Sequence, residues 1–123
     1  MQYRMSKRHR FRPVFKFWIE FEGKRAIGEG GAAILAQIKK EGSISKSAEK
    51  LGMSYRYVWN YLNEVRKTIG EPVVETFKGG RNGGGGAKLT KTGEYLLNEY
   101  NRIGKSLQSF VSSKKLGGET SED

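Results

Sequence analysis

The sequence predicts a mainly α domain with a small share of β structure, and three observations lead there. Apolar residues recur at helical spacing over residues 32–69 and again over 90–112. Two short segments, 14–27 and 73–89, read as strand pairs around glycine turns. Between Ser43 and Gly70, Ala48, Gly52 and Val58 are spaced four and six residues apart. There one helix crosses another at a residue without bulk, after a turn that glycine makes without a Cβ clash. These elements in this order describe a winged helix-turn-helix with an N-terminal β-hairpin and a long C-terminal dimerisation helix.

At 123 residues the chain suffices for one domain with an ordinary core. It divides into a basic, disordered arm at 1–13, the folded domain at 14–113 with its last helix at 90–112, and a disordered tail at 114–123. Twenty-three Lys and Arg stand against 13 Asp and Glu, a net charge of +10 and a pI near 9.9. Such a surplus favours polyanions, either nucleic acid or an anionic membrane surface. No run of eighteen apolar residues occurs, and the basic N-terminus lacks the apolar stretch of a secretory signal. Cysteine is absent, which excludes disulfides and thiolate metal sites and fits a cytoplasmic, nucleoid-associated protein. With one histidine and scattered carboxylates, no enzyme, metal or cofactor is expected.

Taken in order, Arg4, Lys7, Arg8, Arg10 and Arg12 make an arm suited to a phosphate backbone. From Val14, the apolar Phe15, Phe17, Ile19 and Phe21 alternate with Lys16, Trp18, Glu20 and Glu22 as in a half-buried strand. Glu22-Gly23 turns it, and Lys24 to Ile27 returns as a short partner. After Gly28-Glu29-Gly30 a helix runs to about Glu41, with Lys39 and Lys40 suiting its C-terminal dipole and Gly42 ending it. Gly28-x-Gly30-x-x-Ala33 mimics a dinucleotide fingerprint, but a helix pair follows where that fold needs a parallel strand.

Ser43 or Ser45 caps the second helix, and Ser54 caps the third. On the third, Val58, Leu62, Val65 and Ile69 form one inward stripe, and Gly70 and Pro72 stop it. Its other face carries Tyr55, Arg56, Tyr57, Asn60, Tyr61, Asn63 and Lys67. Arginine can pair with a guanine edge and asparagine with an adenine edge, and the N-terminal half of such a helix enters a major groove. Trp59 is expected at the core edge. Strand residues 73–77 lead into KGGRNGGGGAK, with six glycines between Gly79 and Gly86, and 87–89 return. Glycines let the backbone approach phosphates, while Lys78, Arg81 and Lys88 add charge. The order of glycine, lysine and hydroxyl needed for a nucleotide-binding P-loop is missing.

Thr90 starts the last helix, in which Leu96, Tyr100, Ile103, Leu107 and Phe110 step by four, three, four and three. Its length exceeds what one small domain needs, so these residues are expected at a dimer interface.

Two stretches, GSISKSAEKLGMSYRYVWNYLNEV and EPVVETFKGGRNGGGGAKLTKTGEYLL, resemble the N-terminal DNA-binding domain of the ModE molybdate-responsive regulators and their short single-domain relatives. The likeness spans roughly Phe15 to Tyr100 and is most specific at Gly42 to Ser45, at Ser54-Tyr55 with Trp59, and at Gly86-Ala87 before Leu89-Thr90. It implies a dimeric winged helix with the third helix in the groove and the wing on the backbone. By position, Ser43 and Ser45 would touch phosphate or cap, Ser54 to Tyr57 and Asn60 would meet the groove, and Arg81 to Gly86 would form the wing tip.

Joined to the residue reading, the expected DNA contacts are Ser43, Ser45, Ser54, Tyr55, Arg56, Tyr57, Asn60, Tyr61, Lys78, Arg81, Asn82, Lys88 and Lys91. The family senses oxyanion through C-terminal domains that this sequence does not contain, so molybdate binding is not expected. Two functions follow: a homodimeric transcriptional regulator on double-stranded DNA, or an abundant chromatin protein that coats DNA with little sequence preference. RNA binding and a protein-binding role for the aromatic strand are weaker alternatives.

Overall fold

The computed structural model describes residues 7–79, 85–114 and 116. Strand β1 (Ile19–Phe21) pairs antiparallel with β2 (Lys24–Ile27). Glu22 and Gly23 link them with φ of 50° and 83°. Two successive positive φ values match the right-handed twist of a two-residue hairpin. The strand is shorter than its alternation suggested. Residues 14–18 have no ladder partner, because Phe17 turns onto the last helix instead.

Three helices follow: α1 (Glu29–Glu41), α2 (Ile44–Leu51) and α3 (Tyr55–Ile69). Gly42, Gly52 and Gly70 each take the left-handed conformation that closes a helix, with φ of 71°, 69° and 94°. Ser43 Oγ accepts the Lys46 N–H and Ser54 Oγ accepts the Tyr57 N–H, satisfying donors that the first turns leave free. The α2–α3 connection is therefore Gly52 to Ser54, as the sequence indicated.

Ile34, Leu35 and Ile38 of α1 meet Ala48 of α2 and Val58, Leu62 and Val65 of α3 in one core. The Ile, Leu and Val side chains contribute about 1.5–3 kcal/mol each when fully buried. Ile27 of β2 closes one end. At the other end β3 (Val74–Phe77) pairs with β4 (Gly86–Leu89), and Ala87 and Leu89 enter the core. The Ala87 N–H donates to the Gly42 carbonyl at 2.9 Å, tying the wing to the turn between α1 and α2.

Helix α4 (Lys91–Ser112) docks by its first turns. Thr90 donates through Oγ1 to the Pro72 carbonyl at 2.8 Å and through its N–H to Val73 at 3.0 Å. A Cβ at Gly93 would overlap the Val73 carbonyl oxygen, so only glycine lets the helix come this close. Lys39 of α1 bridges to Glu94 at 2.8 Å. Farther along, the Phe17 ring stacks on Tyr100 at 4.3 Å between centroids, and the Tyr100 hydroxyl donates to the Phe17 carbonyl at 3.4 Å. Gly104 admits the edge of that ring. No helix among the described residues is long and apolar enough to cross a membrane.

Candidate nucleic-acid interface

Because Val58, Leu62 and Val65 point inward, α3 must present the opposite arc to solvent. Tyr55, Arg56, Tyr57, Trp59 and Asn60 are all exposed on its N-terminal half. Ser54 does not stand free on this face, since its oxygen caps the helix. Tyr61 is different from its neighbours. It packs against the core, its hydroxyl lies where a Gly31 Cβ would be, and burial pushes its phenol pKa up from the usual value. That places Tyr61 between α3 and α1, away from the exposed arc. Sequence spacing could not separate it from Tyr57, because the difference is made by a glycine thirty residues earlier in the chain.

Trp59, expected at the core edge, is 41% exposed. It lies parallel to Tyr55, with ring centroids 6.4 Å apart and planes at 7°. The i, i+4 spacing of the two aromatics was the available signal. Their rings wall a cleft of about 260 Å³ that also takes in Ser43, Ser45, Phe77 and Lys78. The cleft is where three elements converge: the start of α2, the N-terminal half of α3 and the wing. The first and the last bring features suited to an anion, and α3 brings the two rings. The α2 N-terminus offers backbone N–H groups and the positive end of its dipole. The wing offers Lys78 and the Gly85-Gly86 backbone.

Packing explains why glycines stand there. A Cβ at Gly86 would come 2.7 Å from the Phe77 ring and 3.2 Å from the Gly42 carbonyl oxygen. Gly85 has φ 87°, and its N–H donates to the Gly79 carbonyl at 3.0 Å, closing the base of the wing loop. Lys88 points outward from β4 with its ammonium 3.9 Å from Glu75 across the hairpin. Lys91 is exposed in the first turn of α4. Arg81 and Asn82, the expected wing tip, lie outside the described residues.

The residues expected at a dimer interface divide. Leu96 is buried in its own domain and Tyr100 is stacked on Phe17. Ile103 and Leu107 are half-buried, and Phe110 is exposed with the Lys114 ammonium 4.7 Å from its ring centroid. The heptad spacing thus serves the chain's own packing first and leaves its second half open.

A helical pair with a tight glycine turn, a following exposed helix and a glycine-rich hairpin docked beside it define a winged helix-turn-helix protein. Residues 32–94 match the family of bacterial regulatory helix-turn-helix proteins, lysR family, and the chain belongs to it. It is 37% identical over 95 residues to the molybdenum-pterin-binding protein MopB of Rhodobacter capsulatus, covering 77% of this chain and 34% of MopB. It is 39% identical over 83 residues to the transcriptional regulator ModE of Yersinia pestis, covering 68% and 31%. The DNA-binding transcriptional dual regulator ModE of Escherichia coli K12 is 37% identical over 76 residues, covering 62% and 29%. The ModE resemblance drawn from the residues therefore holds, and the chain spans about a third of the length of these relatives. Among solved structures, the fold matches the BenM DNA-binding domain in a complex with catB site 1 DNA, at TM-score 0.51 and 18% identity over 67% of this chain and 84% of that one. It also matches full-length CbnR complexed with its target DNA, at TM-score 0.50 and 18% identity over 67% and 27%.

Proposed function

We propose that this chain is a homodimeric, double-stranded DNA-binding regulator of transcription that acts in the cytoplasm on the nucleoid. The observation that carries the reading is the convergence of α2, α3 and the wing around one cationic, aromatic-walled cleft. Helix α3 enters the major groove by its N-terminal half, with Arg56, Tyr57 and Asn60 at base edges. The α2 start, Lys78, Lys88, Lys91 and the wing residues Arg81 and Asn82 hold the flanking backbone. Ser43 and Ser54 act through the helices they cap, while Ser45 and Tyr55 face the backbone at the cleft. The second half of α4, with Ile103, Leu107 and Phe110, joins two copies. A two-fold dimer then reads half-sites about one helical turn, ~34–36 Å, apart. The regulators named among its relatives support this role.

The net charge of +10 supports a second reading, a chromatin protein of low sequence preference. Selection from a random duplex pool at near-physiological salt separates the two. Recovery of a two-fold motif is the expected result. A flat pool with measurable binding makes the protein a DNA coat, and no binding rejects both.

A further inference from the structure

The aromatic strand near the N-terminus takes no part in the proposed DNA contacts, and β1 has β2 on one side and no strand on the other among the described residues. Burial alternates from Val14 to Glu20: Phe15, Phe17 and Ile19 are half-buried, while Val14, Lys16, Trp18 and Glu20 are exposed. Contacts between residues two apart show the same two faces. Phe15 and Phe17 stack with ring centroids 6.3 Å apart, and on the other face the Trp18 indole N–H donates to the Glu20 carboxylate at 3.1 Å. Residues 14–18 thus keep the period of a strand and continue β1 without a ladder partner.

In a strand the N–H and C=O of one residue point to the same edge, and those of the next residue to the opposite edge. Phe17 turns its carbonyl to the Tyr100 hydroxyl at 3.4 Å. Lys16 and Trp18 therefore present theirs at the far edge, and neither backbone has a hydrogen-bond partner among the described residues. An edge of this kind is a template for another strand.

The side chains select the strand that fits. A second copy running antiparallel about a two-fold axis at Trp18 sets Lys16 opposite Glu20 twice, Phe15 opposite Phe21 and Phe17 opposite Ile19. An axis at Lys16 or at Glu20 opposes like charges, and one at Phe17 sets Lys16 against Trp18 and Glu20 against Val14. An axis at Ile19 needs Glu22 as a strand residue, but Glu22 lies in the turn with φ 50°. Lys16 enters no ion pair among the described residues, so its charge is available to a partner.

We propose that residues 14–21 of two copies pair as antiparallel edge strands, joining the two N-terminal hairpins into one sheet in the order β2-β1-β1-β2 across the dimer axis. The inference rests on the homodimer reading above and adds a second element to its seam. Phe15 and Phe17 line a cleft with Tyr100, Gly104 and Gln108, so the paired strands lie beside the half of α4 proposed for that seam. A hairpin with strands of three and four residues is marginal alone, and the second copy doubles the sheet.

The test uses the full chain at low salt and reads its dimer dissociation constant by sedimentation. Lys16→Glu and Glu20→Lys are made separately, both at exposed positions outside the core. Each replacement sets like charges across both pairs, and each variant is expected to dimerise roughly tenfold more weakly than the unaltered chain. Mixed one to one, the two variants face each other with opposite charges again, and the mixed dimer should form within about twofold of the unaltered strength. A defect confined to one chain is not repaired by a second chain, so recovery in the mixture is specific to the pairing. Variants that each dimerise as tightly as the unaltered chain overturn the proposal and leave the α4 seam standing. Weakened variants that the mixture does not restore overturn it as well, because the charges then act within each chain. An unaltered chain that stays monomeric at every concentration removes the homodimer reading together with this inference.

Discussion

The two hairpins of this domain are anchored alike and end differently. In each, the second strand buries two apolar residues: Ala26 and Ile27 from β2, Ala87 and Leu89 from β4. At the tips they diverge. The N-terminal hairpin closes in two residues, Glu22 and Gly23, and Arg25 lies back over Trp18 at 4.7 Å. The wing opens into an eight-residue stretch from Lys78 to Gly85, with glycine, lysine, arginine and asparagine and no acid. Anchoring thus belongs to the strands, and the difference in composition belongs to the connections between them. A tight turn spends its residues on its own geometry, whereas a long glycine loop has backbone donors and charges left for a partner.

If that contrast is right, the largest effects come from the shared anchors and are the same in kind. Ile27→Ala and Leu89→Ala should each cost about 2–5 kcal/mol in denaturant unfolding, as for other buried truncations. A much smaller loss at either position would show that its hairpin is not an anchor. Next come the glycines that differ. Gly86→Ala must displace the Phe77 ring and should cost about 1–3 kcal/mol while also weakening duplex binding. Gly23→Ala meets no atom and should cost about 1–2 kcal/mol for its left-handed backbone alone, with duplex affinity unchanged. A drop in affinity for the Gly23 variant would give the N-terminal tip a role in binding.

Charge at the wing should act without stability. Lys78→Ala is expected to leave unfolding unchanged within about 0.5 kcal/mol and to flatten the salt slope of DNA binding by about 0.9. An unchanged slope would take the wing off the backbone.

The smallest effect concerns pH. Burial raises the phenol pKa of Tyr61 and, in the same sense, of Tyr100. A phenol whose folded pKa exceeds its unfolded value near 10 adds stability below about pH 10 and loses it as pH climbs toward the folded value. Melting temperature should therefore fall above about pH 10, and Tyr61→Phe should flatten part of that fall. An identical profile for the variant would mean the ring is solvated.

Much of the fold was legible because its signals are local. Ser43, Ser54 and the three closing glycines fix helix ends within a few residues, and the Val58, Leu62, Val65 stripe orients α3. What stayed hidden depends on pairs distant in sequence. Gly31 decides where Tyr61 points, Gly93 lets α4 press on Val73, and Tyr100 draws Phe17 out of a strand that alternation alone would have extended. Of the proposed interface, the types of residue were readable on α3 and the wing. The meeting of Tyr55, Trp59 and Phe77 around one cleft was not, since it depends on how the wing docks through Ala87 and Gly42.

Phe17 stacked on Tyr100, with residues 8–13 lining one cleft with the end of α4, also shows how this domain can be rewired. Arg8 and Leu116 line the same cleft, so the chain enters and leaves the described structure at one pole. A short linker from Leu116 back to Lys7 could therefore join the two ends, with new ends cut at the Glu22-Gly23 turn. Such a circular permutant should fold with its α3 face unaltered. Any module fused to either end would likewise emerge together with the other end, about one α4 length from the wing.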